Sequence, residues 1–246
     1  GEVLYSQAFG NYSLDRRVPI ASASKWLSAA VIARLVDRGV LRWDDRIERF
    51  LPNVPADKRS ITLRQLFSHS SGLQAGEVGC IGDAQASFQA CVDSILATPL
   101  AYPPGQGFAY GGNSMHVAGR LAEIASGQRW DLLFRAEVAT PLGMTATDYA
   151  FFSTQPGLVD VSNPRIAGGA RSTLAEYGRL LQALLDRGAV GDVQWLSPAI
   201  IDQMAEDQTR GAPVLSTPLP TARGYGIGQW REQVATNGRP TLLSSP

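Results

Sequence analysis

Apolar residues recur at helical spacing through most of the chain, and strand-like stretches fall only near its two ends. From Ser22 onward, Trp26, Leu27, Ala30, Val31, Leu35 and Val36 return every three to five positions, with Ala29 and Ile32 widening the face. A stripe that wide predicts a helix buried on most sides, closed at Gly39 after a basic residue in its last turn. Further helices are predicted within 41–52, ended by Pro52, and from a Ser60 or Thr62 cap through Phe67. Others are predicted across 87–100, 114–127 and 129–144. Another opens on a capping box, Thr173 to Glu176, and stops at Gly188, and the last begins at Ser197. Strands are predicted at 2–10, 224–235 and 239–246, with loop-rich chain over 150–170. Strand, many helices, then strands again predicts an α/β (α+β) fold. Its sheet would be built from both ends of the chain around an inserted helical region.

Composition supports that reading. The 246 residues are 44% hydrophobic and 18% charged, enough apolar material for one large domain or two small ones. Acidic and basic residues balance at 22 each, and no basic cluster is long enough to track a phosphate backbone, so nucleic acid is not an expected partner. No run of 18 apolar residues predicts a membrane span. Cys80 and Cys91 lie close enough for a local loop-closing disulfide, which would point to an oxidising, periplasmic or secreted setting; two free thiols is the plainer reading. With only His69 and His116 beside them, no metal site is expected.

One residue departs from the composition. Of 22 basic residues, 20 are arginines, and the two lysines are Lys25 and Lys58. Arg stays protonated in proteins, whereas Lys loses its proton where charge is disfavoured. Lys25 follows Ser22 by three residues, which places the two on one helical face. A serine hydroxyl is a weak nucleophile until a base takes its proton. A lysine serves as that base only when burial or a nearby cation lowers its pKa. The bland alternative is an N-capping Ser and a solvated Lys, but Trp26 and Leu27 directly after Lys25 argue against a freely solvated position.

Several ordered blocks then resemble one family. "SASKWLSAAVIARLVDRGVLRWDDRIERFLP", "ITLRQLFSHSSGL", "YPPGQGFAYGGNSMHVAGRLAEIASG", "PLGM" and "GGARSTLAEYGRLLQALLDRG" resemble, in order, the landmarks of the serine β-lactamase and penicillin-binding-protein superfamily. The resemblance is closest to the branch of class C β-lactamases, D-alanyl-D-alanine carboxypeptidases and related esterases. It implies a β-lactamase/transpeptidase-like fold, with a helical subdomain at 22–154 and an antiparallel-sheet α/β subdomain from 1–21 and 155–246. The site would lie between them. It implies Ser22 as the acylated nucleophile, Lys25 as its base and Tyr110 as the tyrosine of a Y-x-N motif that relays a proton. Small-molecule or short-peptide substrates are implied, with no cofactor. The irregular stretches near 72–86 and 150–170 are expected to set substrate choice.

Two departures qualify the resemblance. Two residues after Tyr110 stands Gly112, with Asn113 one place later. If Gly112 is the match, the amide of the motif is missing, as in some esterase-like relatives. The family's third motif, K-T-G or a variant, also has no clear counterpart. Ser244 and Ser245 in "TLLSSP" are candidates for its start. The expectation is that the C-terminal strands and one oxyanion donor lie beyond Pro246, in a longer chain or a second polypeptide.

Rival chemistries are weaker. No G-x-S-x-G elbow occurs, and His69 and His116 are read as structural. "GYGIG" lacks the spacing of a nucleotide loop. Glu176, Asp44 and Asp45 are read as capping and surface charges. A non-catalytic pseudo-hydrolase that binds peptides or protein is the alternative from another class.

Overall fold

The computed structural model describes residues 3–245; Gly1, Glu2 and Pro246 lie outside it. Its elements run in chain order from β1 (Val18–Pro19) to α1 (Ser24–Asp37), α2 (Leu63–Phe67) and α3 (Phe88–Ala97). Next come β2 (Phe108–Ala109), α4 (Asn113–Ser126), α5 (Trp130–Phe134), β3 (Arg171–Ser172) and α6 (Leu174–Leu185). The chain then forms β4 (Ala189–Val190), β5 (Val193–Gln194), α7 (Pro198–Ala205), β6 (Val214–Ser216), β7 (Trp230–Val234) and β8 (Pro240–Ser244).

α1 is the axis of the core. Eleven of its 14 residues are buried, as the wide apolar stripe predicts, and Leu27, Ala29, Ala30, Val31 and Ile32 are fully enclosed. The continuous core extends from α1 through Leu63, Leu66, Val92, Ile95, Met115, Val117, Leu121, Trp130 and Leu180. Of the two predicted caps Thr62 is the one used, in a capping box with Gln65 that opens α2, and α4 ends at Gly127 as predicted, with that glycine left-handed.

Several expectations are corrected. The strands pair in four separate two-stranded sheets: β1 with β3 and β2 with β6 across long stretches of chain, β4 with β5 and β7 with β8 as neighbours, so no single sheet joins the two ends of the described chain. Residues 3–10 form no strand, and Val3, Leu4, Tyr5 and Phe9 are exposed. The stretch 41–52 holds a 3-10 turn at Ile47–Arg49 and an isolated bridge from Arg46 to Thr62, with Ile47 N donating to Ile61 O, rather than an α-helix. The helix predicted across 129–144 passes after α5 into a π-helical turn, Arg135–Ala139. "GYGIG" is bend and bridge rather than strand.

Two carboxylates read as surface or capping charges are structural. Glu176 is 5% exposed and does not complete the predicted box. Thr173 caps the Glu176 N–H, but the Glu176 carboxylate turns to the 145–147 turn. There it accepts from Thr145 N (2.6 Å), Ala146 N (2.8 Å) and Thr147 Oγ1 (2.6 Å). Asp45 is 8% exposed and accepts from Arg42 N. Only Asp44 is exposed as expected. Burial wins in both cases because each carboxylate finds N–H or O–H donors, without which it would stay in water.

Cys80 and Cys91 form a disulfide across 11 residues, which excludes the two-free-thiol reading. Among the described residues no helix is long and apolar enough to cross a membrane.

Candidate active site

The chain turns sharply just before α1. Ala21 has a left-handed backbone (φ +44°), an uncommon conformation for a residue with a Cβ. It starts a 3-10 turn, Ala21–Ala23, that carries Ser22 ahead of the α-helix. Backbone strain of this kind costs about 1–3 kcal/mol and persists only where the surroundings fix it. Here they do. Ile20 N donates to Ala170 O, Ser24 Oγ accepts from Ala170 N at 2.9 Å, and Tyr177 Oη donates to Ala23 O at 3.1 Å.

Lys25 is 4% exposed. Its Nζ lies 3.0 Å from Ser22 Oγ and donates to the Ala167 carbonyl at 2.9 Å. Burial pulls its pKa down to about 7, with Glu77 pushing it up and Arg165 adding to the depression. Among the described residues no carboxylate pairs with the amine, and desolvation is the dominant cause. The other lysine, Lys58, is also buried but is paired with Asp57 at 2.9 Å. The unusual residue type therefore has a neutralisable amine at one position and an ordinary ion pair at the other.

Tyr110 stands across from both groups. Its phenol lies close enough to Ser22 for that side chain to act on its pKa, and its ring centroid is 4.5 Å from Lys25 Nζ. Burial is the main cause that raises the Tyr110 pKa, so the phenol keeps its proton at neutral pH. Strand β2 positions it by parallel pairing to β6, and Tyr110 N donates to Ser216 O. Behind it, Tyr110 stacks on Trp230 (5.1 Å) and tilts against His69 (4.7 Å). His69 is buried among Phe108, Tyr110 and Tyr225, and burial holds it neutral. His116 is likewise buried, held to a pKa of about 4, and bonded to Asn163. Neither imidazole contacts Ser22, as a structural role requires.

β8 also reaches this corner. Ser245 Oγ donates to Ser22 O at 3.1 Å, while Ser244 is the last residue of the strand, opposite Trp230. Of the residues singled out in the sequence, the structure brings together Ser22, Lys25, Tyr110 and Ser245.

Asn113 is elsewhere. Fully buried, its Nδ2 donates to the carbonyls of Gln74 (2.9 Å) and Gly76 (2.6 Å), and its Oδ1 accepts from Val78 N. It holds the 74–78 loop rather than facing Lys25. Gly112 lies against that loop too: a Cβ built on it would collide with the Glu77 carboxylate. Cys80–Cys91 and Asn163, which donates to Cys80 O and Asp83 O, pin the far side of the same segment.

Four contributors escaped the sequence reading: Ala21, the Ala167 carbonyl, Glu77 and Arg165. Ala21 and Ala167 act through the backbone, which leaves no side-chain signal. Glu77 and Arg165 pair at 2.7 Å across 88 residues, a distance no spacing rule spans. Among the described residues no group of three or more His, Cys, Asp or Glu could hold a metal.

The Beta-lactamase family profile matches residues 1–240. A solved structure of a Bacteroides dorei DSM 17855 protein assigned as a beta-lactamase is 37% identical, with a TM-score of 0.88, covering 100% of this chain and 75% of that one. Esterase EstB of Burkholderia gladioli is 30% identical over 63% of this chain and 46% of its own. Penicillin-binding protein 4 of Amycolatopsis lactamdurans is 33% identical over 50% of this chain and 33% of its own. The chain thus spans about a third of the length of the first curated relatives it matches.

Proposed function

The chain belongs to the Beta-lactamase family, and from that premise we propose that it is a serine hydrolase that forms an acyl-enzyme on an ester or amide. The observation that carries the reading is the Lys25 amine, buried with no carboxylate partner among the described residues and 3.0 Å from the Ser22 hydroxyl. In this reading the site lies between the segment 22–154 and the segments 1–21 and 155–246.

With its pKa near 7, Lys25 is substantially neutral at physiological pH, and its lone pair accepts the Ser22 proton. Ser22 Oγ attacks the substrate carbonyl carbon. The oxyanion is received by the Ser22 N–H, at the N-terminal side of α1 where helix N–H groups lack intrahelical partners. Tyr110, protonated and within reach of Ser22, supplies a proton to the leaving group as its bond to the acyl carbon breaks. Water then attacks the acyl carbon and gives its proton to the Tyr110 phenolate, while the departing Ser22 oxygen takes back the proton held by Lys25. No step draws on a cofactor or metal.

The names of the relatives span esterase, penicillin-binding and β-lactamase activities. The absent side chain at Gly112 favours the esterase side of that range, because the amide the family places there is missing. The intact Cys80–Cys91 bridge supports a periplasmic or secreted location.

The test is covalent labelling by a fluorophosphonate followed by intact mass and peptide mapping. One adduct on Ser22, absent in Ser22→Ala, supports the hydrolase. No adduct on a folded chain would instead support a non-catalytic binding protein.

A further inference from the structure

Glu77 lies against Gly112, two residues after Tyr110, and acts electrostatically on Lys25 and Tyr110, yet none of the steps above uses it. Gly112 leaves space beside Tyr110, and Glu77 fills that space from the neighbouring loop, since a Cβ on Gly112 would collide with Glu77 Oε1, Cδ and Cγ. The two carboxylate oxygens differ. Oε2 accepts from Arg165 Nη2 at 2.7 Å, whereas Oε1 is the Glu77 atom nearest to where a Gly112 side chain would begin. The charges reach the reacting groups: Glu77 acts electrostatically on both Lys25 and Tyr110, and Arg165 on Lys25. The ion pair remains open to solvent, with the two side chains 29% and 30% exposed. The loop itself is fixed by Asn113, Asn163 and the disulfide, so the carboxylate is delivered by a pinned segment.

We propose that Glu77 is a specificity-determining residue, whose Oε1 accepts a hydrogen bond from an N–H donor on the acyl group of the substrate, a primary ammonium best of all. An amide at this place would serve donors and acceptors alike, whereas a carboxylate only accepts. The substrate class is therefore an ester or amide whose acyl group carries an amine beside the reacting carbonyl. An acyl group with a carboxylate at that place meets like charge. Arg165, by holding Oε2, positions the carboxylate and offsets part of its charge. The inference rests on the serine-hydrolase reading and adds no bond-making step to it.

Alanine methyl ester, in both enantiomers, and methyl propanoate differ by the ammonium alone. Their hydrolysis is followed by proton release near neutral pH in the parent, Glu77→Gln, Glu77→Asp and Arg165→Gln. Because the intrinsic reactivity of each ester cancels between variants, the readout is the change in the kcat/KM ratio of amine-bearing to amine-free ester. A charge-assisted hydrogen bond predicts a fall of about tenfold or more in Glu77→Gln. Partial rescue is expected in Glu77→Asp, and a rise in Arg165→Gln, where the carboxylate loses its counter-charge. A ratio unchanged in both Glu77 variants, with Ser22 still labelled by the fluorophosphonate, overturns the inference alone. So does a labelled chain that hydrolyses neither alanine ester. Failure of Ser22 to label, together with equal hydrolysis by Ser22→Ala, overturns the hydrolase reading and this inference with it.

Discussion

Lys25 and Ala167 stand 142 residues apart, and Nζ of the first donates to the carbonyl oxygen of the second at 2.9 Å. The contact aims the amine without fixing its charge, because a neutral carbonyl accepts from an amine and from an ammonium alike. A carboxylate in the same place would hold the lysine protonated. Burial is thus left to decide, and it carries the pKa to about 7.

For an uncharged ester, kcat/KM is therefore expected to rise with pH through an apparent pKa near 7, as Lys25 loses its proton. Removing Glu77, which raises that pKa, moves the limb to lower pH; removing Arg165 moves it to higher pH. A pH–rate profile of each variant checks the signs. Lys25→Arg is expected to be as inactive as Lys25→Ala, since Arg cannot give up its proton. Appreciable turnover by the Arg variant would end the base assignment.

The same group imposes a pH dependence on folding. Unfolded Lys25 holds its proton to about 10.5, whereas the folded one releases it near 7. Between these values the unfolded state binds more protons, so this group's contribution makes the fold more stable as pH rises. The gain is on the order of 1.4 kcal/mol for each unit of pKa difference. Denaturant unfolding of Lys25→Met between about pH 7 and pH 9.5 should show a flatter pH slope than the parent.

Tyr110→Phe keeps the stacking on Trp230 and removes the proton donor. Turnover of an ester with a poor leaving group should fall by about 100- to 10,000-fold, the usual worth of a general acid. The loss should shrink for p-nitrophenyl esters, whose leaving group needs little protonation. Equal losses on both substrates would count against proton transfer by Tyr110.

Gly111 touches the 74–78 loop through backbone, and a Cβ there would strike Ala75 C, O and Cα. Backbone cannot rotate away as a side chain can, so Gly111→Ala is expected to lose about 1–3 kcal/mol of stability. Gly39, where an added Cβ meets nothing within 4 Å, serves as the comparison, its cost arising only from its left-handed φ of +72°. Thermal denaturation of the two variants separates crowding from conformational strain.

The parts of this site that were legible in the sequence are those encoded by short spacing. Ser22 and Lys25 are one turn apart, and a lysine in an arginine-rich chain marks itself. The apolar stripe of α1 gave its burial, and Tyr110 stood out through its Pro/Gly-rich approach. What was hidden depends on long-range placement. Glu176 looks like a capping residue until the 145–147 turn offers three better donors. Asn113 looks like the motif's amide until its side chain is found satisfying the 74–78 backbone. Residues 3–10 alternate as a strand would, yet a strand forms only beside a partner, and none of the described strands lies against them.

The Cys80–Cys91 bridge gives the preparation of this protein a chemical memory. Closing an 11-residue separation contributes about 2–3 kcal/mol by restricting the unfolded chain, and the same bond tethers the segment that presents Glu77. Material made where thiols stay reduced would carry that carboxylate on a looser arm. Two batches of identical sequence would then discriminate differently among acyl donors, and brief air oxidation would bring them together.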